Sequence, residues 1–471
     1  MRTSSIFSMI VFIGIIIIIL LQPKIKIPRS QKRIQLDFGS APLIGVAILL
    51  IFNQADLSVL SVGILGTPTI KPYIIILLFF SLAYVCISID LTGFFAYLSL
   101  LAAKKSGSSG KKLYFYFFLL SSVLTTFTSN DIVILTLTPI IIYFCKYTKT
   151  NPIPFLMGQF FAANIWSMAL YVGNPTNIIV AQAYNLDFLG YSMWMFFPTL
   201  IAGTSCYYLM KRLFKKDILE KIIPPEIDPK SALKSKSGAI FGISMLGTCL
   251  VLLSLAPILH LNMGFICFIF ALIMLIKDII YDVKKNQRDS KKGQIILDSS
   301  IASKRFPTVI TAAKRMPWKI MPFVFGMFIM VEILDSSGWI GLISESIGTV
   351  DDNIGLFWSV FFMCFLSSMV CNVMNNQPMT ILFTRVIQHS AFNTLVSSTI
   401  VKASMFALIM GSNLGANFTL LGALAGIMWS SISKEKGIQI TYKLFAKTGF
   451  KVMPIVVFLA SLILALEFIL I

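Results

Sequence analysis

The chain has 471 residues, of which 57% are hydrophobic and only 13% charged, and its mean hydropathy is +0.85. Soluble domains carry about 25% charged residues, so no soluble fold could cover this much apolar surface; in a bilayer the length matches about ten spans of roughly 20 residues plus loops. The formal charge of +19 would suggest nucleic acid as a partner in a soluble protein, but its placement between apolar runs identifies it with basic cytoplasmic loops facing anionic headgroups.

Apolar runs predict spans at about 4–22, 42–65, 73–101, 155–183, 194–210, 238–258, 262–282, 319–342, 399–430 and 452–471. Strongly basic residues (Lys24, Lys26, Arg29, Lys32, Arg33) follow the first run, and no small-residue cleavage site does, so it reads as a retained span rather than a signal peptide. Two further stretches, 113–145 and 354–388, behave differently. Of the 39 Lys and Arg residues, all but Arg2, Lys71, Arg385 and Lys402 fall in six clusters assigned to one side. The stretch 113–145 is flanked by Lys111 and Lys112 before and Lys146 and Lys149 after. A single crossing would put one flank on the wrong side, so the run is expected to enter and return. The stretch 354–388 follows Asp351 and Asp352 and has no basic cluster on either side, which suits a second re-entrant hairpin from the opposite face. Ten crossings and two hairpins place both termini on the non-cytoplasmic side; which membrane holds them is left open.

The expected organisation is a first span and basic segment (1–35), a first repeat (36–210), a cytoplasmic linker (211–237) with Pro224, Pro225 and Pro229, and a second repeat (238–471). The second repeat carries a polar cytoplasmic loop at 283–317, expected to be partly disordered or surface-bound. The seven scattered cysteines form no CxxC pair and read as small buried hydrophobes. The spacing Gly422-x-x-x-Gly426 permits close helix packing, within the chain or in a homodimer.

Each hairpin carries polar residues at its midpoint: Thr125-Thr126-Phe127-Thr128-Ser129-Asn130-Asp131 in the first and Cys371-Asn372-Val373-Met374-Asn375-Asn376-Gln377-Pro378 in the second. A long apolar span follows each, broken at Gly173-Asn174-Pro175-Thr176-Asn177 and at Gly411-Ser412-Asn413-Leu414-Gly415-Ala416-Asn417. The same order twice, entered from opposite sides, is the pattern of an inverted repeat with discontinuous helices meeting at the midplane. The fold class is therefore an all-α polytopic membrane protein. Helix N-termini at such breaks attract anions, and carbonyl, Asn and Thr oxygens suit a cation such as sodium. The bland reading of any one cluster is a helix cap or turn.

These motifs resemble the ion transporter superfamily, which includes arsenite efflux pumps, citrate–metal transporters and divalent anion:sodium symporters. The carrying residues are Ser129-Asn130-Asp131 with Thr138-Pro139, the 173–177 break, Asn375-Asn376-x-Pro378 and Gly411-Ser412-Asn413-Leu414-Gly415; Met316-Pro317-Trp318 is similar to the arsenite-pump branch. The resemblance, from about residue 36 to the end, implies a scaffold and a moving transport domain whose hairpin tips and broken helices bind substrate and coupling ion. It points to Ser129, Asn130, Asp131, Gly173, Asn174, Thr176, Asn177, Asn375, Asn376, Gly411, Asn413 and Gly415. The tips depart from the Ser-Asn-Thr of the dicarboxylate branch, and Asp131 adds a carboxylate.

Charges inside spans are costly and default to functional readings. Asp131 would couple a proton or cation, or cap the helix that follows it. Arg385 would pair with a carboxylate, draw an anion inward, or snorkel; Asp56, Asp90, Glu332 and Asp335 are weaker candidates. The chain contains no G-x-x-x-x-G-K-[ST], HExxH or G-x-S-x-G motif, so no hydrolase or ATP-hydrolysing site is expected. No cofactor and no resident metal are expected, beyond transient sodium at the hairpin tips. The expected function is secondary active transport of a small anion or oxyanion by alternating access, coupled to protons or sodium. Proton-driven arsenite or antimonite efflux is the nearest alternative, and a gated ion channel the alternative from another class. The hairpin reading makes a topological prediction: cysteines introduced at Lys111 and Lys146 react with an impermeant maleimide from the same face, and labelling from opposite faces would remove the hairpin.

Overall fold

The computed structural model describes residues 3–26, 33–67, 70–223, 228–291 and 305–470. Those residues are helical apart from one short antiparallel ladder pairing Lys24–Lys26 with Arg33–Gln35. Hydrocarbon offers no water to backbone N–H and C=O groups, so apolar runs must satisfy them internally as helix. Eight helical stretches among the described residues are long and apolar enough to cross a bilayer, so the chain is a multi-pass membrane protein.

Two halves run through the same elements. In the first, helix Pro72–Leu91 turns at Gly93 (φ 84) into Phe94–Ser106 and again at Gly107 (φ 55) into Gly110–Phe127, the outgoing arm of a hairpin. Asn130–Tyr147 returns; a helix broken into Pro152–Trp166 and Pro175–Ala183 follows, then Phe188–Leu213. In the second, Ile320–Ser336 turns at Gly338 (φ 83) into Trp339–Met374, which Gly355 (φ 74) divides, so that its latter part is the outgoing arm. Asn376–Gln388 returns; a helix broken into Ser398–Leu414 and Leu424–Glu435 follows, then Tyr442–Leu470.

Packing is reciprocal. Met263–Lys291 lies on Pro72–Leu91, as Ala41–Ile51 and Ser58–Leu65 lie on Ile320–Ser336. Each return arm closes on the broken helix of the other half: Asn130–Tyr147 against Leu424–Glu435, and Asn376–Gln388 against Pro175–Ala183. The last helices of the halves, Phe188–Leu213 and Tyr442–Leu470, pack together. These are two inverted repeats with discontinuous helices.

Several boundaries differ from the hydropathy reading, each for a backbone reason. The run 42–65 is two helices, because Asn53 takes a left-handed φ of 56° and ends the first, and Asp56 sits exposed in the turn instead of inside a span. The runs 73–101 and 319–342 bend at Gly93 and Gly338, three residues after Asp90 and Asp335. The expected loop at 283–317 begins as helix, since Met263–Lys291 continues into it, and ends in a second helix, Pro307–Arg315; 292–304 lie outside the described residues. So do Pro224 and Pro225 of the linker, whose Pro229–Ala232 turn seats beside Gly93 and bonds through Lys234 N–H to the Thr92 carbonyl at 2.9 Å.

All seven cysteines are buried and free. Lipid tails are as apolar as leucine, so close helix approach rests on small residues rather than on hydrophobic transfer. A Cβ at Gly411 would lie 2.7 Å from the Cys364 carbonyl oxygen, and one at Gly415 2.7 Å from Ser368 Cα. Gly422 and Gly426 likewise face Asn372 and Leu420 of the same chain. The two left-handed corners can be told apart by substitution. A Cβ at Gly338 meets nothing, whereas one at Gly93 collides with the Ala232 carbonyl. Melting of the detergent-solubilised protein is expected to show a cost of about 1–2 kcal/mol for Gly338→Ala from φ alone and a clearly larger one for Gly93→Ala; equal shifts would mean that the linker is not seated there.

Candidate functional site

At the first tip Ser129 is extended (φ −149, ψ 142) and its hydroxyl makes no capping bond. Asn130 takes over locally. Its Oδ1 accepts the Asp131 N–H at 2.9 Å, and its Nδ2 donates to Asn164 Oδ1 at 3.0 Å. Asn164 passes the chain on, donating from Nδ2 to Asn417 Oδ1 at 2.9 Å. A relay of three amides therefore runs from the first hairpin, through its own broken helix, to that of the other half.

The centre is Asn413. Its Oδ1 accepts from Asn174 Nδ2 at 2.8 Å and Ser167 Oγ at 2.9 Å, and its Nδ2 donates to Asn177 Oδ1 at 2.7 Å. Asn177 donates to the Ser167 carbonyl at 2.8 Å, and Asn174 Oδ1 accepts the Thr176 N–H at 3.2 Å, capping Pro175–Ala183. Ser412 Oγ donates to Thr176 Oγ1 at 3.2 Å. Asn174, Thr176, Asn177, Ser412 and Asn413 are all buried, so the two broken helices are stitched together by side chains that would be costly to leave unpaired.

At the second tip Asn375 adopts φ 74, donates from Nδ2 to the Leu421 carbonyl at 3.1 Å and caps Gln377 N–H. The Asn376 N–H donates to the Gly422 carbonyl at 3.0 Å, and its Nδ2 reaches the Ser412 carbonyl at 3.4 Å. Asn372 donates to the Gly415 carbonyl at 2.9 Å and accepts from Thr419 Oγ1 at 2.7 Å. Gln377 Oε1 is buried without a partner.

A cavity of about 820 Å³ opens beside the first tip. Its rim carries exposed Lys314, Arg315, Trp318 and Lys319; its walls include Phe79, Leu82, Cys86, Leu135 and Met428; its depth holds Thr128, Ser129, Asp131 and Leu424. Ser129 Oγ is buried with no partner. The Asp131 carboxylate, half-buried, makes no ion pair or hydrogen bond among the described residues. Neither helix starting here, Asn130–Tyr147 nor Leu424–Glu435, has a side-chain cap from its N-cap residue; Asn130 Oδ1 takes the Asp131 N–H of the first, and the first turn of the second carries the positive end of its helix dipole. Two rim cations are already paired, Arg315 with Asp90 at 2.6 Å and Lys319 with Asp37 at 2.8 Å. Burial pushes the Asp37 carboxyl up, but the hydrogen bonds from Lys319 and Ser40 outweigh it and hold that group below its ordinary value.

Of the residues singled out from the sequence, Ser129 and Asp131 line this cavity. Asn130, Asn174, Thr176, Asn177, Asn375, Asn376 and Asn413 form the amide framework behind it. Gly173, Gly411 and Gly415 serve close approach, to Ser167, Cys364 and Ser368 respectively. Arg385 is ion-paired with Glu332 at 3.0 Å and Asp335 at 2.7 Å. Asn164 and Ser167 escaped the sequence reading, and Asn372 was named there as part of the second tip but not among the binding residues; an amide inside the apolar run 155–183 was the available signal for Asn164. Among the described residues no cluster of three or more His, Cys, Asp or Glu could hold a metal. Asn413→Ala leaves Asn174, Ser167 and Asn177 without their shared partner and is expected to cost on the order of 3 kcal/mol, read as a fall in melting temperature; an unchanged melt would disconnect the two broken helices.

Comparison with known proteins agrees with this architecture. The chain is similar to the arsenical pump membrane protein of Escherichia coli, 25% identical over 401 residues covering 83% of this chain and 86% of that one. The protein of the same name from Yersinia enterocolitica is 25% identical over 398 residues, covering 83% and 85%. A 46 kDa membrane protein of Mycobacterium leprae (strain TN) is 23% identical over 401 residues, covering 84% and 86%. Among solved structures, the YdaH transporter of Alcanivorax borkumensis, described as having an unusual topology, matches with a TM-score of 0.55 and 12% identity over 99% of this chain and 98% of that one, a likeness of fold. The family model described as CitMHS, citrate transporter, matches residues 15–407. Two inverted halves meeting at polar helix breaks, a cavity ending at one hairpin tip and this match over most of the chain together show a membrane transporter that belongs to the CitMHS citrate transporter family.

Proposed function

We propose that this chain is a gradient-driven carrier of a small oxyanion or oxyacid, working by alternating access, with a proton or sodium ion coupled at Asp131. The observation that carries this reading is the depth of the cavity, where an unpartnered hydroxyl (Ser129), an unpartnered carboxylate (Asp131) and two helix N-termini without a cap from their N-cap residues converge. N–H groups and a hydroxyl suit the oxygens of a substrate. The carboxylate suits a cation, or a proton exchanged as the site is filled and emptied. The basic rim faces the cytoplasm under the positive-inside rule, which makes this conformation inward-open. The hairpins and broken helices, joined through Asn413 and Asn164, would move as one body against Pro72–Leu91 and Ile320–Ser336.

Substrate chemistry follows from where the cations are. Lys314, Arg315 and Lys319 stand at the rim, and the group at the depth is acidic. A trianion such as citrate would need positive side chains at the bottom of the cavity, whereas a small, weakly charged, hydroxyl-rich oxyacid would not. That favours a substrate of the kind named for the arsenical pump relatives. Citrate remains the second reading, favoured by the family description. In proteoliposomes with imposed proton and sodium gradients, arsenite is expected to be driven uphill with saturation, against citrate, sulfate and phosphate as competitors; large non-saturating currents would replace the carrier with a channel. Asp131→Asn is expected to lose gradient-driven accumulation by at least ~10-fold while its amount in the membrane is unchanged; intact coupling in that variant would remove Asp131 from the mechanism.

A further inference from the structure

Charged groups lie at both ends of the contact between the hairpins and the helices they pack on, and the two ends are built differently. Asp90 and Asp335 occupy equivalent places in the two halves, each three residues before a left-handed glycine, Gly93 and Gly338. Asp90 accepts from Arg315 at 2.6 Å, but Arg315 belongs to Pro307–Arg315, outside both hairpins. Only the Thr136 hydroxyl reaches Asp90 from the first return arm, at 3.3 Å. At the other end the guanidinium sits on the second return arm itself. One Arg385 nitrogen donates to Glu332 at 3.0 Å and to Asp335 at 2.7 Å, both on Ile320–Ser336. His389, just past the end of the same arm, places Nε2 3.7 Å from Asp335. These groups are only 16–23% exposed in the Arg385 pairs, where an ion pair is screened less than at the surface.

The two ends are also far apart. Ile320 lines the cavity, and Asp335 lies fifteen residues further along the same helix, about 22 Å at 1.5 Å per residue. The full ion pair between hairpin and neighbouring helix is thus at the end away from the cavity, while at the cavity end the polar link from the return arm to Asp90 among the described residues is the Thr136 hydroxyl. Aligning the tips on Asn130 and Asn376 sets Gln377 opposite Asp131 and Ile381 opposite Leu135. Asp131 and Leu135 line the cavity; Gln377 and Ile381 are buried, with Gln377 Oε1 unpartnered.

We infer that Arg385, Glu332 and Asp335 form the latch that holds the second face closed, and that their separation uncovers a second cavity bottomed by Gln377, the counterpart of the one now open. The inference rests on the alternating-access reading above. Arg385 is then a positioning residue: it sets which face is open, and it does not touch substrate. A hairpin carrying its own cation makes the closed face a two-acid clamp that must be broken before the arm can move.

The test is an accessibility assay on Ile381→Cys, with the wild type and its seven buried cysteines as the background control. An impermeant maleimide is applied from the face opposite the basic rim. Arg385→Gln, and Glu332→Gln with Asp335→Asn, are expected to raise the labelling rate of this cysteine by ~10-fold or more. The reversed pair, Arg385→Asp with Asp335→Arg, is expected to bring it back toward the parent rate. Unchanged labelling in the neutralised variants at unchanged melting temperature overturns the latch. If neutralisation lowers the melting temperature, the reversed pair decides: labelling as fast as in the neutralised variants overturns the latch, and recovery upholds it. The assay needs no substrate, so a latch that opens in a protein that accumulates nothing would reject the carrier and leave the latch standing.

Discussion

A side-chain amide buried in a membrane protein must find its hydrogen bonds within the protein, from other side chains, from backbone groups freed by a helix break, or from the second lone pair of a carbonyl in its own helix, as Asn413 Nδ2 does with Ile409. Asn413 satisfies that constraint with three partners from the opposite half. Because those partners are Ser167, Asn174 and Asn177, the loss of helix at 167–174 and the polar residues at 411–417 are one feature. Each break supplies the groups that the other needs. An unpaired amide at this depth would cost several times what a typical hydrogen bond contributes, so the two broken helices are held in register by the penalty for separating them.

With the interior fixed in this way, the site is left at the edge. The amide framework leaves Ser129 Oγ and the Asp131 carboxylate outside its own bonding and directs them into the cavity. A binding group must be polar and unsatisfied to be useful, and a polar group must be satisfied to be tolerated in a core. The chain gives the two demands to adjacent residues: Asn130 bonds inward to Asn164, and Asp131 lines the cavity. The same alternation recurs at the second tip, where Asn376 bonds inward and Gln377 keeps an unpartnered oxygen.

Much of this was legible before any coordinates. The basic flanks of 113–145 announced a hairpin because charge at a membrane face is a strong constraint, and the Gly and Asn clusters announced the breaks because few residues tolerate those backbones. What could not be read was direction within a helix. Hydropathy made 73–101 and 319–342 single spans, since a left-handed glycine between apolar runs leaves no trace in an average. Asn164 was passed over because a lone amide among Phe160, Phe161 and Ile165 carries no motif, and its importance comes from Asn417, some 250 residues away. Gly173, Gly411 and Gly415, read from the sequence as binding positions, also leave room for Ser167, Cys364 and Ser368, a close approach that no sequence pattern records.

The reciprocal closure of the halves has a consequence for biogenesis. The first hairpin's return arm, ending at Tyr147, rests on Leu424–Glu435, which leaves the ribosome roughly 290 residues later. At about 5–20 residues per second, that arm waits about 15–60 s for the helix of the other half that packs on it, with Asn130 meanwhile paired only within its own half. Anything that protects nascent polar hairpins during that interval, whether insertase or chaperone, therefore has a client here, and a truncated first half on its own would be expected to be cleared by quality-control proteases rather than to persist.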